Sequence, residues 1–274
     1  HNFKFLKNPY NFATICIMKN LLSFLILWSF TSNVLSDQLD EAIKSDLRNE
    51  TNVSRDTYRN PYKTLTFFGI KPNMKVVELS PGGGWYTEIL ASYLHDSGTL
   101  IAAHFDKNSD RDYFKRGRAN FEKKMTTNTV YKNVEIVDLS SNLSVPQSAD
   151  AVLTFRNLHN WLGPQADLIF SNSYKVLKTG GIFGIVEHRA KAGTSIENMK
   201  KSGYVTEEYA IQMAEKHGFK LISKSEINSN PKDTTNHPKG VWTLPPNLRL
   251  KEVNREKYLN IGESDRMTLL FKKL

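Results

Sequence analysis

The sequence predicts an α/β protein with a mostly parallel, doubly wound sheet of about seven strands and helices on both faces. Short runs of β-branched and apolar residues alternate along the chain with longer segments of helical periodicity, which is typical of repeated β-α-β units. The apolar runs are nearly continuous, as in strands that helices cover on both faces. With 274 residues, of which 39% are hydrophobic, the chain can bury one full core of this kind.

The first part of the chain holds four of the predicted strands. Each is a run of apolar and β-branched residues that leads into a polar residue. A helical segment over residues 87–94 separates the first strand from the second. The four strands are predicted over residues 76–79, 98–106, 134–139 and 149–155.

The second part of the chain completes the sheet. Gly180 and Gly181 are predicted to end a helix over residues 166–177, because glycine is common at helix C-termini. A long loop over residues 228–260, rich in Pro, Asn and Lys, is expected to cover a binding pocket, since long ordered loops are often functional. The remaining elements are strands over residues 182–186, 218–222 and 267–272 and a helix over residues 208–217.

A glycine-rich turn lies between the first strand and the first helix of the predicted sheet. Residues 80–84 read Ser-Pro-Gly-Gly-Gly, and glycine allows both a positive φ and a close approach of a ligand to the main chain. Open α/β sheets bind ligands at the carboxyl ends of their strands. The turn lacks the G-x-G-x-x-G and P-loop patterns, so it is either a different ligand-binding turn or a plain tight turn.

Two further strands are predicted to end in acidic residues. Asp106 follows the glycine turn by about 20 residues, the distance at which an acid holds ribose hydroxyls in such folds. The alternative is a helix N-cap or a surface aspartate. Asp138 and Leu139 end the third strand, and an ordinary turn residue is the alternative for Asp138.

The pattern E-x-x-P-G-G-G over residues 78–84 resembles motif I of the class I S-adenosylmethionine-dependent methyltransferases. This resemblance implies a Rossmann-like sheet whose last strand is antiparallel, with S-adenosylmethionine as the cofactor. Residues 78–84 would then hold its methionine part and Asp106 its ribose, while Asp138 and Leu139 would hold its adenine. The cofactor-binding residues expected on this basis are Glu78, Pro81, Gly82, Gly83, Gly84, Asp106, Asp138, Leu139, Arg156 and Tyr58.

The Leu-His-Asn-Trp sequence over residues 158–161, together with Glu187, resembles the small-molecule O-methyltransferases. In that family a histidine after the fourth strand is the general base, and a glutamate flanks it. The resemblance implies that His159 removes the proton of the acceptor and that Glu187 is its partner. The chain departs from the family pattern at Asn160, where the family has Asp, and packing of His159 beside Trp161 is the alternative.

The flanks of the core are similar to a bacterial family of exported predicted methyltransferases. The similarity rests on residues 55–61, 64–70, 226–233, 240–246 and 261–271, together with the glycine turn. It implies methyl transfer to a small-molecule acceptor that the sequence does not identify. Because S-adenosylmethionine is made in the cytosol, an exported, non-catalytic small-ligand-binding protein that retains the fold is the alternative.

The beginning of the sequence predicts export. Residues 18–36 have a short basic start and an apolar stretch that is too short to span a bilayer, which is typical of a signal peptide. Residues 1–17 are expected to be an upstream, non-native segment and residues 37–274 a single methyltransferase-like domain. The expected location is periplasmic or secreted, without stable membrane insertion after cleavage. An uncleaved anchor is the alternative.

Composition narrows the classes of site and partner. Cys16 is the only cysteine and precedes the predicted mature chain, so no cysteine-based site is expected there. No metal site is predicted, although His188, Asp233 and His237 are a conceivable combination. The net charge is +9, but the lysines are scattered, so a solvated basic surface is favoured over a specific nucleic-acid partner.

Overall fold

The computed structural model describes residues 38–274 as a seven-stranded sheet flanked by helices. The strand order is β3-β2-β1-β4-β5-β7-β6, and β7 runs antiparallel to both of its neighbours. This confirms the predicted fold class, including the antiparallel last strand. The strands are β1 (Lys75–Leu79), β2 (Thr99–His104), β3 (Val134–Asp138), β4 (Ala149–Phe155), β5 (Leu177–His188), β6 (Phe219–Ser225) and β7 (Arg266–Lys273).

The helices of the described chain cover both faces of the sheet. Because successive strand residues point to opposite faces, neighbours in β1 join different core layers. Val76 belongs to the layer that contains Ile89, while Val77 belongs to the layer that contains Phe170 and Ala210. The helices are α1 (residues 38–44), α2 (Glu50–Val53), α3 (Asp56–Arg59), α4 (Pro61–Phe67), α5 (Trp85–Leu94), α6 (Asp112–Met125), α7 (Pro164–Val176), α8 (Ile196–Ser202), α9 (Glu207–Lys216) and α10 (Arg255–Ile261).

The start of β5 differs from the prediction. Helix α7 ends at Val176 and the strand begins at once, so the prediction that Gly180 and Gly181 end the helix is wrong. The pairing of β4 with β5 shifts between Ala149 and Ala151, and Gly180 has φ +80° within this irregularity. A Cβ atom at Gly181 would lie only 2.9 Å from the carbonyl oxygen of Lys178. The two glycines therefore allow the main chain to form a bulge at the start of β5.

The predicted upstream segment over residues 1–17 and the predicted signal peptide over residues 18–36 lie outside the described residues. Across residues 38–274, every helix is too short or too polar to cross a bilayer.

Candidate active site

The glycine turn joins β1 to α5 through left-handed main-chain conformations. Ser80, Gly82 and Gly84 have φ angles of 49°, 58° and 80°. A Cβ atom at Gly82 or Gly83 would meet no atom within 4 Å, so these two residues border open space. At Gly84 it would lie 3.2 Å from the ring of Phe121. The turn thus exposes the main chain of two glycines and packs the third against α6.

A cavity of about 740 Å³, here called the larger cavity, opens at the turn and the carboxyl end of β2. Its walls come from the ends of β1 to β4 and from one face of α6. A recess of about 280 Å³ lies next to it and shares Phe105, Arg111, Phe114, Leu139 and Gln165 with it. The larger cavity is lined by Ser80, Gly82, Gly83, His104, Phe105, Arg111, Tyr113, Phe114, Arg116, Gly117, Asn120, Phe121, Lys124, Leu139, Asn157, Asn160, Trp161 and Gln165.

The two acids predicted to bind cofactor lie close to this space. Asp106 lines the recess, and its carboxylate accepts a hydrogen bond from the hydroxyl of Ser140 at 2.6 Å. Asp138 accepts at 2.7 Å from Nη1 of Arg118 and at 3.2 Å from the main-chain N of Lys107. Leu139 lines both the recess and the larger cavity. The ends of β2 and β3 are therefore held together around the recess.

Glu78 lies beneath the turn and does not line the larger cavity. It is 2% exposed, and its carboxylate accepts from the hydroxyl of Thr87 at 2.6 Å. Burial raises the pKa of Glu78 to about 7, although the Thr87 hydroxyl and the charge of Lys124 oppose the shift. The side chain joins β1 to α5, directly below the main chain that borders the cavity.

His104 is a site residue that the sequence did not suggest. Its Nδ1 accepts from the main-chain N of Phe105 at 2.8 Å, and its Nε2 donates to the carbonyl of Gly82 at 3.0 Å. Both contacts together require a neutral ring with the proton on Nε2. Burial lowers its pKa, which favours the same form. The residue was predicted as part of a strand through Asp106, whereas β2 ends at His104 itself.

A second cavity, of about 420 Å³ and here called the arginine cavity, lies on the β4 and β5 side of the turn. It shares Ser80, Gly82, Gly83, Tyr113 and Asn157 with the larger cavity, so the two adjoin at the turn. From the predicted loop over residues 228–260, a segment within residues 241–247 lines this cavity. The predicted loop is too long, because a short 3-10 helix (Gly240–Thr243) lies within it and α10 begins at Arg255. The residues that line the arginine cavity include Arg55, Arg59, Ser80, Arg156, His159, His188, Trp242 and Glu263.

Four guanidinium groups surround one carboxylate beside this cavity. The carboxylate is that of Glu263, which is 4% exposed. Although burial opposes its ionisation, the arginine charges outweigh burial and lower the pKa of Glu263 to about 2. Burial lowers the pKa of Arg59 to about 8 and that of Arg156 to about 10. The distances to Glu263 are 2.6 Å for Arg55, 3.3 Å for Arg59, 3.4 Å for Arg266 and 3.7 Å for Arg156.

Of the other residues predicted to bind cofactor, Arg156 and Tyr58 lie away from the larger cavity. Arg156 lines the arginine cavity. Tyr58 is 40% exposed and lies against Gly262, where an added Cβ atom would be 2.6 Å from its ring. Pro81 lines the arginine cavity as well, at the start of the glycine turn.

The structure brings His159 and Glu187 together, as the sequence predicts. The His159 Nδ1 atom lies 3.0 Å from Oε1 of Glu187, and the main-chain N of His159 lies 3.2 Å from Oε2. The ring of His159 lies 5.2 Å from that of His188 and 6.1 Å from that of Trp242, measured between centroids. It packs against these two residues, and the described chain shows no ring contact between His159 and Trp161.

His188 completes a group of possible metal ligands with His159 and Glu187, whose donor atoms lie within 4.8 Å of one another. The conceivable set with Asp233 and His237 does not form, because His237 pairs with Asp233 while His188 bonds Ser264. Burial and then the charges of His159 and nearby arginines hold the pKa of His188 well below its usual range. The charges of Arg156, Arg266 and Arg59 disfavour a divalent cation at this group.

The chain was compared with protein-family models, curated proteins and solved structures. No model of a known protein family matches the chain, and no curated protein matches its sequence. Among solved structures, the [4+2]-cyclase SpnF has a TM-score of 0.58 at 13% identity, over 84% of this chain and 85% of its own.

Two solved methyltransferase structures are similar to this chain. A candidate sarcosine dimethylglycine methyltransferase from Galdieria sulphuraria has a TM-score of 0.56 at 13% identity, over 81% of this chain and 86% of its own. A SAM-dependent methyltransferase from Aquifex aeolicus has a TM-score of 0.52 at 18% identity, over 64% of this chain and 87% of its own. At these identities the likeness concerns the fold. The chain therefore has the Rossmann-like fold of the class I SAM-dependent methyltransferases.

Proposed function

We propose that this chain is a methyltransferase that binds S-adenosylmethionine in the larger cavity and a small-molecule acceptor in the arginine cavity. The observation that carries the proposal is the position of the pair His159 and Glu187. His159 lines the arginine cavity, which adjoins the larger cavity at the glycine turn. A candidate base thus lies beside the junction of two binding spaces.

The larger cavity and its recess have groups suited to the proposed cofactor. When bound, S-adenosylmethionine supplies an electrophilic methyl group on its sulfonium. Gly82 and Gly83 leave room for the methionine part, because nothing lies within 4 Å of either position for a Cβ atom. Asp106 lines the recess as a carboxylate acceptor for ribose hydroxyls. Leu139, shared by recess and cavity, supplies an apolar surface for the adenine ring.

Asp138 keeps acceptor capacity for the adenine amino group. Both hydrogen bonds that it accepts from described residues end on Oδ1. Asp138 itself lines neither the recess nor the larger cavity, but the next residue, Leu139, lines both, so the Oδ2 atom lies next to the proposed adenine site. Because Arg156 lines the arginine cavity, we assign it to the acceptor side of the reaction.

The chain's own contribution to the chemistry is alignment and proton removal. Methyl transfer from a sulfonium is an in-line displacement, so orienting donor and acceptor is the main requirement. Glu187 accepts from His159 Nδ1 and thereby directs the lone pair of Nε2 away from itself. Nε2 has no hydrogen-bond partner among residues 38–274, so it can accept the acceptor's proton. The buried Glu187 carboxylate then stabilises the imidazolium.

Calorimetry followed by a turnover assay tests this function. The purified chain is titrated with S-adenosylmethionine and with S-adenosylhomocysteine, and label transfer from the methyl group is then measured over a panel of small acceptors. We expect both ligands to bind and at least one acceptor to be methylated. Absence of binding for both ligands overturns the proposal. Binding without transfer to any acceptor favours a binding protein that retains the fold.

A further inference from the structure

We propose that the arginine cavity is an anion site that receives a carboxylate or phosphate group of the methyl acceptor. The assignment to an acceptor rests on the proposed function, whereas the binding of an anion does not.

The residues around the arginine cavity carry more positive than negative charge. Glu263 is the only acidic residue of the described chain that lines the cavity. Arg55, Arg59 and Arg156 also line it, and Arg266 packs against the same carboxylate. Four guanidinium groups and one carboxylate leave a surplus of three positive charges. Such a surplus in a buried place is costly unless another anion joins it.

Several buried hydrogen-bond donors of the arginine cavity have no partner in the described chain. The side chain of Arg59 is 2% exposed, and its Nη1 atom has no hydrogen-bond partner in the described chain. The Nη2 atom of Arg55 and the hydroxyl of Ser80 are also buried and have no hydrogen-bond partner in the described chain. All three residues line the arginine cavity. Buried donors of this kind are rare because each unmade hydrogen bond costs stability. An oxyanion in the cavity would supply the missing acceptors.

Contacts within the chain fix the guanidinium group of Arg59 and the main chain of Arg156. Arg59 lies over the ring of Trp85, with 4.7 Å from its central carbon to the ring centroid. Arg156 has φ 63°, and its main-chain N donates to the carbonyl of Val186 at 2.7 Å. A non-glycine residue in this conformation is strained, and such strain is concentrated at functional sites. Rigid, planar guanidinium groups recognise carboxylate and phosphate by paired hydrogen bonds.

The position of the cavity assigns the anion to the acceptor. His159 lines the arginine cavity and does not line the larger one. The volume of about 420 Å³ lies in the range of small-molecule sites and leaves space for much more than one carboxylate group. An acceptor anchored by its anionic group at Arg59 and Arg156 would therefore have its nucleophile beside His159.

Titration of the full chain with inorganic phosphate tests the anion site directly. We expect Arg59→Gln and Arg156→Gln each to weaken phosphate binding about ten- to hundredfold, the scale for losing a charge-assisted hydrogen bond. Arg255→Gln is the matched control, because it removes the same charge from an arginine outside the cavity whose side chain is 44% exposed. Arg55→Gln adds a variant at a less buried position, in case Arg59→Gln does not fold.

A second titration distinguishes the two sources of the anion. If the acceptor uses the site, phosphate still binds to protein saturated with S-adenosylmethionine, and Arg59→Gln leaves the affinity for S-adenosylmethionine unchanged. Competition between the two ligands, with weaker cofactor binding in Arg59→Gln, would mean that the cofactor's own carboxylate occupies the site and would overturn the assignment. Equal phosphate affinity in the wild type, Arg59→Gln and Arg156→Gln would overturn the anion site. Phosphate binding without any cofactor binding would leave the anion site standing and the methyltransferase proposal refuted.

Discussion

The Glu187 carboxylate contacts His159 twice: one oxygen lies 3.0 Å from Nδ1, and the other lies 3.2 Å from the main-chain N. One acid thus fixes both the position of the residue and the tautomer of its ring. Because Glu187 is fully buried, it has little freedom to release the histidine. With the proton on Nδ1, Nε2 carries the free lone pair, and within residues 38–274 it has no hydrogen-bond partner. It is the atom on which the proposed chemistry depends.

Replacing His159 with alanine tests that chemistry. General-base catalysis contributes about 10²–10⁴-fold to a rate, so we expect His159→Ala to reduce turnover by about that factor. The affinity for S-adenosylmethionine should stay nearly unchanged, because His159 lines only the arginine cavity. Steady-state kinetics and calorimetry measure the two effects.

The control for this variant is His217→Ala, since His217 pairs with Asp167 away from both cavities. A His159→Ala enzyme within about threefold of wild type would remove the base from the mechanism. The residue would then be a packing partner of Trp242, and alignment alone would explain turnover.

Replacing Asp106 tests the expected ribose contact. Loss of charge-assisted hydrogen bonds costs about 1.5–3 kcal/mol, so Asp106→Ala should weaken S-adenosylmethionine binding by about that amount. Asp96→Ala is the control, because the Asp96 side chain is 93% exposed and lies outside the recess. Calorimetric affinity that does not change, with an unaltered melting curve, would exclude Asp106 from the cofactor site.

Adding a side chain at Gly83 tests whether the larger cavity holds the cofactor. Gly83 does not have a left-handed φ, and an added Cβ atom would meet nothing within 4 Å. Gly83→Val should therefore fold normally while filling space that the ligand needs. We expect a large loss of S-adenosylmethionine affinity with Gly83→Val and a smaller loss with Gly83→Ala. Equal affinities for the three proteins would show that the ligand does not approach the turn.

The buried carboxyl group of Glu78 should make the free energy of unfolding depend on pH. Its pKa is raised from 4.5 to about 7 in the folded chain, so the folded state holds a proton that the unfolded state has lost. Stability therefore falls as pH rises from about 4.5 to about 7, and the full cost remains above that range. Glu78→Gln removes the charge while keeping an oxygen that can accept from Thr87.

We expect Glu78→Gln to exceed the wild type in melting temperature at pH 8 and to match it near pH 5. The difference in unfolding free energy should be on the order of 1–3 kcal/mol. Comparing the two proteins at each pH cancels the titration of all other groups. A variant that is less stable than wild type at pH 8 would show that the ionised carboxylate stabilises the fold.

Local patterns explain why most of the sheet was predictable. The central strands β1, β2, β4 and β5 contain nearly continuous runs of apolar residues, and such runs are visible without any tertiary contact. Errors arose where non-local contacts decide the structure. The end of β2 at His104 depends on a bond to Gly82, and the bulge at Gly181 depends on the neighbouring strand β4.

The candidate site was predictable only in part. His159 and Glu187 could be paired because His159 follows β4 and Glu187 lies at the end of β5, and parallel strands end at the same edge of a sheet. The arginine cluster could not be found, because its members are scattered in sequence. Arg55 and Arg59 precede the sheet, Arg156 follows β4, and Glu263 precedes β7. None of these positions stands out by itself in a basic chain.

The reversed direction of β7 has a consequence for the order of assembly. Because β7 is antiparallel, its first residues reach the edge where the parallel strands finish, and Glu263 arrives there just ahead of it. Arg55, Arg59 and Arg156 gain their shared counter-charge only when this strand enters the sheet. During synthesis, the arginine cavity thus stays electrostatically incomplete until the segment that carries Glu263 and β7 is available.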